Sequence, residues 1–256
     1  MDYPAERKCY IHLADDILTR FPELCVMGFR VDVIDDDALA QLEVPDQAVV
    51  EAALRDLGVS VASLADHELV AEWRSATRAS GLKPSTFKSS PEALARRFAK
   101  GSGLSTPLQL VNLYCAVSAM NLAPLGAYDI RRLPGSGAGS NLEIDLRLAK
   151  PGSDRFVPIG GKPSDFPITP EVPIYACDDT IICWSFNCRD SSETCLVDNS
   201  SAMLFLGEAT TANQREALEQ AIAQLHDLLS IKGILTGEIV SVSGKEPKVL
   251  LPALEP

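Results

Sequence analysis

The stretch Gly81-Leu82-Lys83-Pro84-Ser85-Thr86-Phe87-Lys88-Ser89-Ser90-Pro91 gathers two lysines and four hydroxyls just ahead of a proline. Proline early in a helix and free backbone N–H groups at its start make a place where an anion can be held, and neighbouring lysines strengthen it. The competing reading is a surface loop whose serines only cap the helix. Nucleophile arrangements are thinly supported. His12, His67 and His226 have no G-x-S-x-G or Cys-Gly elbow to work with, and His67-Glu68 is not followed by a second histidine at zincin spacing. Walker A and G-x-G-x-x-G patterns are absent, and Gly135-Ser136-Gly137-Ala138-Gly139 reads as a flexible loop because no strand and helix flank it. Cys177, Cys183, Cys188 and Cys195 fall within nineteen residues. Their gaps of five, four and six residues suit buried strand thiols better than a zinc knuckle.

These residues must be positioned by elements that the hydrophobic pattern outlines. Strands are expected at Tyr10–Leu13 and through Leu24–Val33, with a short helix around Asp16–Arg20 between them. Helices are expected from about Asp46 to Leu57 and from Leu64 to Ser80, the second stopped by Gly81. Three further starts carry cap chemistry: Ser90 before Pro91 and Glu92, and the T-x-x-Q boxes Thr106–Gln109 and Thr211–Gln214. Leu218, Ala221, Ile222, Leu225, Leu228 and Leu229 then repeat at the spacing of a helix laid on a sheet. Between about 125 and 208 short strands dominate, at 141–149, 156–159, 172–177, 181–188 and 202–206. Helices on both sides of a block of strands predict an α+β fold rather than a doubly wound one.

The 256 residues carry a net charge of −12. That disfavours a protein gripping nucleic acid over its whole surface. The charge is uneven, however: residues 1–71 hold −10, residues 104–256 hold −7, and residues 72–103 hold +5 from Arg74, Arg78, Lys83, Lys88, Arg96, Arg97 and Lys100 against Glu72 and Glu92. Such a basic island is either a phosphate contact or a solvated helix face. No apolar run approaches the roughly 20 residues of a membrane helix, and Met1-Asp2-Tyr3-Pro4 lacks the layout of a signal peptide, so a cytoplasmic protein with reduced thiols is expected.

From Trp73 to about Leu229 the order of motifs resembles the B3/B4 tRNA-binding domain family, in particular free-standing relatives of the editing module of the phenylalanyl-tRNA synthetase beta subunit. The residues that carry this are Trp73, Arg78, Gly81–Ser85, Ser89–Leu94 and Arg97, then Val111–Ser118 and Pro124–Asp129, then Leu146–Ala149, Pro170-Glu171, Tyr175-Ala176 and Phe186–Ser191. The resemblance implies a mostly antiparallel sheet flanked by helices around a cleft, in a single α+β domain over 1–256 with its B3/B4-like core at 70–230. Residues 1–60 and the tail after Ile231 match less clearly.

It further implies a trans-acting aminoacyl-tRNA deacylase, an esterase-type hydrolase for mischarged tRNA, with the tRNA acceptor end as partner and no cofactor or metal. An aminoacyl ester is activated enough for a positioned water and the adjacent ribose hydroxyl to suffice. Carried over by position, Glu171, Asn112, Cys115 and Asn187 would serve the reaction, while Arg78, Lys83, Ser85, Lys88, Ser89, Ser90, Arg97 and Arg189 would hold the tRNA end. Two positions depart from the synthetase pattern: its editing histidine becomes Gly126, and its helix asparagine becomes Cys115. The synthetase's final-strand glutamate falls near Glu208. A cysteine on a buried helix is either a small core residue or a nucleophile with a lowered pKa. The competing functions are a non-catalytic tRNA- or aminoacyl-binding module and an acyl-processing enzyme using the same cleft.

Overall fold

The computed structural model describes residues 8–135, 141–231, 233–252 and 254. The expected loop at 136–140 and the Met1–Pro4 terminus lie outside the described residues. A first sheet runs in the order β11, β1, β4, β5, β6, β7, where β1 is Cys9–Leu13, β4 Leu142–Leu148, β5 Pro173–Cys177, β6 Thr180–Trp184, β7 Arg189–Asp190 and β11 Lys248–Leu251. A second runs β10, β2, β8, β3, with β2 at Cys25–Val33, β3 at Gly126–Asp129, β8 at Ala202–Ala209 and β10 at Val240–Ser243. Strand β9 (Ile234–Thr236) shares the outer edge of β2 with β10. Every pairing is antiparallel except that of β1 with β4. The α+β class is as expected, but the strands form two sheets instead of one.

Alternation along the strands dictates how the sheets meet. Ile11, Leu13, Ile144, Leu146 and Tyr175 of the first sheet face Val26, Tyr128, Leu204 and Leu206 of the second. On the far face of the second sheet, Phe29, Val31 and Phe205 take Leu113 and Val117 of α5 (Gln109–Asn121) and Leu218, Ile222 and Leu225 of α6 (Ala212–Leu229). Helices α2 (Gln47–Asp56), α3 (Glu68–Ala79) and α4 (Ser90–Ala99) pack with α5 in a separate cluster through Val50, Leu54, Val70, Ala95, Phe98 and Ala116. The short α1 (Asp15–Arg20) joins β1 to β2.

Several local expectations shift. The helix expected over 64–80 breaks at His67, which is extended (φ −61°, ψ 134°), so a single 3₁₀ turn at Leu64–Asp66 precedes α3. Gly81 stops α3 with φ +72°, as its missing Cβ permits. Residues 156–159 form no strand, only the isolated bridge of Pro158 with Ser191. The Thr106 box does not cap a helix: α5 begins at Gln109, and Asn112 instead ties its first turn to Thr106 through both amide atoms. Thr211 caps α6 by accepting from the Gln214 N–H, but Gln214 reaches back to Thr210, one residue earlier than a capping box requires.

The basic island is partly internal. Glu92 is fully buried and takes a bidentate pair from Arg74 at 2.7 and 3.0 Å and a third contact from Arg96 at 3.4 Å. Arg97 donates to the Gly103 carbonyl. What remains on the surface is the loop 83–88 with its two lysines, together with Arg78, Arg97 and Lys100. Among the described residues no helix is long and apolar enough to cross a membrane.

Candidate functional site

Where the helical cluster meets the edge of the sheets, a narrow cleft of about 10 Å³ opens, room for roughly one water. Trp73 and Thr77 of α3 form one wall, and Phe87, Ser89 and Ser90 from the loop into α4 form the rim. The tight turn Ser185–Cys188 after β6 lies opposite, with Pro124 beside it and Glu208 of β8 below. The loop is fastened to this turn: the Cys188 thiol donates to the Lys88 carbonyl at 3.1 Å, and Phe87 meets Trp184 edge-on at 5.0 Å.

The turn is strained. Ser185 and Phe186 are consecutive non-glycine residues with φ of 53° and 55°, an arrangement that costs about 1–3 kcal/mol per residue and persists only where its surroundings enforce it. Enforcement is visible on every side. Ser185 N–H donates to the Pro173 carbonyl at 2.9 Å, the Cys183 thiol to the Phe186 carbonyl at 2.8 Å, and the Phe186 ring stands edge-on to both Trp73 and Phe21.

Glu208 anchors the next residue. Its Oε1 accepts from Asn187 N–H at 2.9 Å, and its Oε2 accepts from the Tyr175 hydroxyl at 2.9 Å and from the Asn187 side-chain amide. Asn187 Oδ1 in turn accepts from the Tyr128 hydroxyl at 2.9 Å, which also reaches Asp190 at 3.3 Å. Burial pushes the Glu208 carboxyl up to about 8 and that of Asp190 up to about 6. Donors from Asn187 and Tyr175 pull Glu208 back only partly, and Asp190 nearby opposes them. Near neutral pH Glu208 is therefore mainly a neutral acid. It orients the turn and is unsuited to serve as a base there.

The cleft collects three of the expected residues, Asn187, Ser89 and Ser90, and has Lys88 on its rim, where Lys88 Nζ folds back onto the Ser85 carbonyl at 2.7 Å. Lys83 and Ser85 are exposed on the same loop. The others lie elsewhere. Glu171 is exposed on the turn before β5, with Gly81 as a neighbour. Asn112 is spent on Thr106. Arg78 is exposed at the end of α3, Arg97 holds Gly103, and Arg189 donates to the Ile159 carbonyl while lying 5.3 Å over the Phe166 ring. Cys115 packs against the α5–α6 core, where burial pushes its thiol up to about 12. A half-buried thiol raised that far is a poor nucleophile near neutral pH. Alkylation by iodoacetamide at mildly alkaline pH, resolved by mass spectrometry, is expected to modify Cys115 at least about a hundredfold more slowly than an unhindered cysteine; modification at the free-thiol rate would show that the side chain is open and ionisable.

The Ser90 cap is also corrected. The helix begins at Ser90 with Ser89 at the N-cap and Pro91 second, and neither serine hydroxyl bonds to the helix. Trp73, Thr77, Phe87, Ser185, Phe186 and Cys188 were not assigned to the site by residue type. Glu208 did carry a signal: in β8 it shares the phase of Leu204 and Leu206, so a carboxylate at that position must point between the sheets. Among the described residues, a His and carboxylate group with ligand atoms close together lies elsewhere, at His12, Glu143 and Asp145 on β1 and β4. There His12 Nδ1 already pairs with Asp145 at 2.7 Å and Lys248 occupies Glu143 at 2.8 Å.

All the residues lining the cleft fall inside residues 72–230, and that segment matches a family model described as the B3/4 domain. The chain belongs to the B3/4 domain family. No curated protein matches it. Among solved structures, this B3/4 chain is similar to an N-terminal fragment of the phenylalanyl-tRNA synthetase beta-subunit from Pyrococcus horikoshii, with 9% identity and a TM-score of 0.42. The alignment covers 100% of this chain and 58% of that one, so the B3/4 chain spans somewhat over half the length of that fragment.

Proposed function

We propose that this B3/4 protein acts in trans on the aminoacylated 3′ end of a tRNA and hydrolyses the ester of a mischarged one. The observation that carries this reading is the adjacency of the lysine-bearing loop 83–88 to a narrow cleft lined by Ser89 and Ser90. Lys83 and Lys88 take backbone phosphates of the single-stranded end, and the ester sits at the mouth of the cleft. Because Glu208 and Cys115 are both protonated near neutral pH, the reaction relies on a held water and the ribose hydroxyl next to the ester, with no covalent intermediate on the protein. The small basic surface limits the footprint: about two to four phosphate contacts would give a shallow salt dependence, near −0.7 in log affinity per contact.

Incubation with a panel of charged tRNAs tests the proposal. Accelerated ester loss for a subset of amino acids is expected. Ester loss at the buffer rate for every amino acid would reject deacylation, and salt-sensitive tRNA binding without hydrolysis would instead support the non-catalytic binding module. Reversing charge at Lys83 and Lys88 should weaken binding and reduce its salt slope by about 0.7 per lysine contact.

A further inference from the structure

Buried polar side chains are almost always hydrogen-bonded, and each exception calls for a reason. Among the described residues nine buried side-chain polar atoms have no partner, and three of them, Trp73 Nε1, Ser89 Oγ and Ser90 Oγ, belong to residues that line the one cleft. Trp73 is 2% exposed. An indole N–H can only donate, so the atom that completes it must be an acceptor. Ser89 and Ser90 stand at the first positions of the ten-residue α4, where free N–H groups and the helix dipole also favour an oxygen carrying partial negative charge. The acceptor cannot come from Glu208, whose two oxygens already take three donors from Asn187 and Tyr175.

We infer that Trp73 Nε1, Ser89 and Ser90 form a binding site for an uncharged acyl oxygen, the carbonyl of an ester or amide. A phosphate is the obvious alternative, and the cleft argues against it. No lysine or arginine is among its lining residues, while the acidic side chain of Glu208 forms its floor and Asp190 lies just beyond. A dianion placed there would be desolvated without a counter-charge, which costs far more than hydrogen bonds from three neutral donors return. A carbonyl oxygen needs only those donors. Phosphates are left to the exposed lysines outside. This assignment rests on the proposed function only for the identity of the ester; the recognition of an acyl oxygen stands without it.

The test reads the indole N–H signals by ¹H–¹⁵N NMR. The protein has two tryptophans, and Trp184 provides the internal control because its Nε1 already donates to the Pro167 carbonyl at 2.9 Å. The Trp73 signal, assigned by its loss in Trp73→Phe, is expected to move downfield on titration with 3′-alanylamino-3′-deoxyadenosine, a non-hydrolysable amide mimic, while Trp184 stays fixed. Inorganic phosphate at the same concentration is expected to leave both unmoved. Ser90→Ala and Trp73→Phe should each weaken binding of the mimic about fivefold or more, the effect of losing one neutral hydrogen bond. A Trp73 signal insensitive to the mimic, as it would be if a buried water permanently satisfied the indole, overturns the inference. An equal response to phosphate, or unchanged affinity in Ser90→Ala, does so too. Because none of these readings involves ester cleavage, a shifted Trp73 signal in a protein that hydrolyses no charged tRNA would retain this site and reject the deacylase. The reverse pattern would do the opposite.

Discussion

An E208A variant is expected to lose about 3–5 kcal/mol of folding stability, because it strands three buried donors that converge on one carboxyl, the Asn187 N–H, the Asn187 amide and the Tyr175 hydroxyl. The strained turn at Ser185 and Phe186 would lose its anchor at the same time. Glu208→Gln should cost less, about 1–3 kcal/mol, because its one carbonyl oxygen keeps the donors on one side while its NH2 opposes an Asn187 N–H on the other. The same group gives stability a pH dependence of definite sign. Its ordinary value of 4.5 is raised to about 8 in the fold. Between those limits the native state keeps a proton that the unfolded chain releases, so stability is greatest on the acid side of 4.5 and declines as pH rises through 8. The slope approaches about 1.4 kcal/mol per pH unit inside the window, a few kcal/mol in all. Asp190, raised from 3.8 to about 6, adds to the decline at its lower end. Urea denaturation at about pH 5.5, 7 and 8.5 measures this. A parent slope that survives unchanged in E208Q, or an E208A protein as stable as the parent, would remove Glu208 from this role.

The second large effect is at Gly126. A Cβ built there would sit 2.5 Å from Asn187 Oδ1 and 2.8 Å from the Tyr128 hydroxyl. Neither can retreat freely: Asn187 is held by Glu208, and the Tyr128 ring is fully buried in the inter-sheet core. Gly126→Ala is expected to cost about 3 kcal/mol, at the upper end for overfilling a close-packed site, and Gly126→His to leave little folded protein. The double variant Gly126→Ala/Asn187→Ala should recover part of the steric cost, because the nearest obstacle is gone. Thermal and urea unfolding of the four proteins close the cycle. Simple additivity would show that Asn187 does not occupy the space. Asn187, reaching in from the turn after β6, thus fills the space that a side chain at position 126 would need.

Much of the architecture could be read from the chain because it depends on local pattern. The apolar runs of β2 and β8, the Asp46 cap of α2, the positive φ at Gly81 and the long amphipathic α6 are all properties of a few neighbouring residues. The site was harder, since its decisive contacts join residues far apart. Charge counting sees Arg74 and Arg96 as free cations until Glu92, eighteen residues from Arg74, is placed between them. Cap chemistry at Ser89-Ser90-Pro91 reads the same whether or not the hydroxyls turn toward the helix. In the structure they do not. Glu171 and Asn112 have side-chain types suited to chemistry, yet one faces solvent and the other closes a loop. The short strands β9, β10 and β11 have too few residues to announce a strand.

Those late strands impose an order on biosynthesis. Strand β1 lies between β4 and β11, with Cys9 opposite both Leu142 and Leu251. Its two edges are therefore satisfied by segments made far later, and β2 likewise waits for β8, β9 and β10. Contacts of such high sequence separation make folding slow. A nascent chain halted within α6 would display the long apolar β2 with one flank bare, a template for pairing with other chains. Quality control on the ribosome, more than the stability of the finished protein, is where substitutions near residues 234–251 should exact their toll.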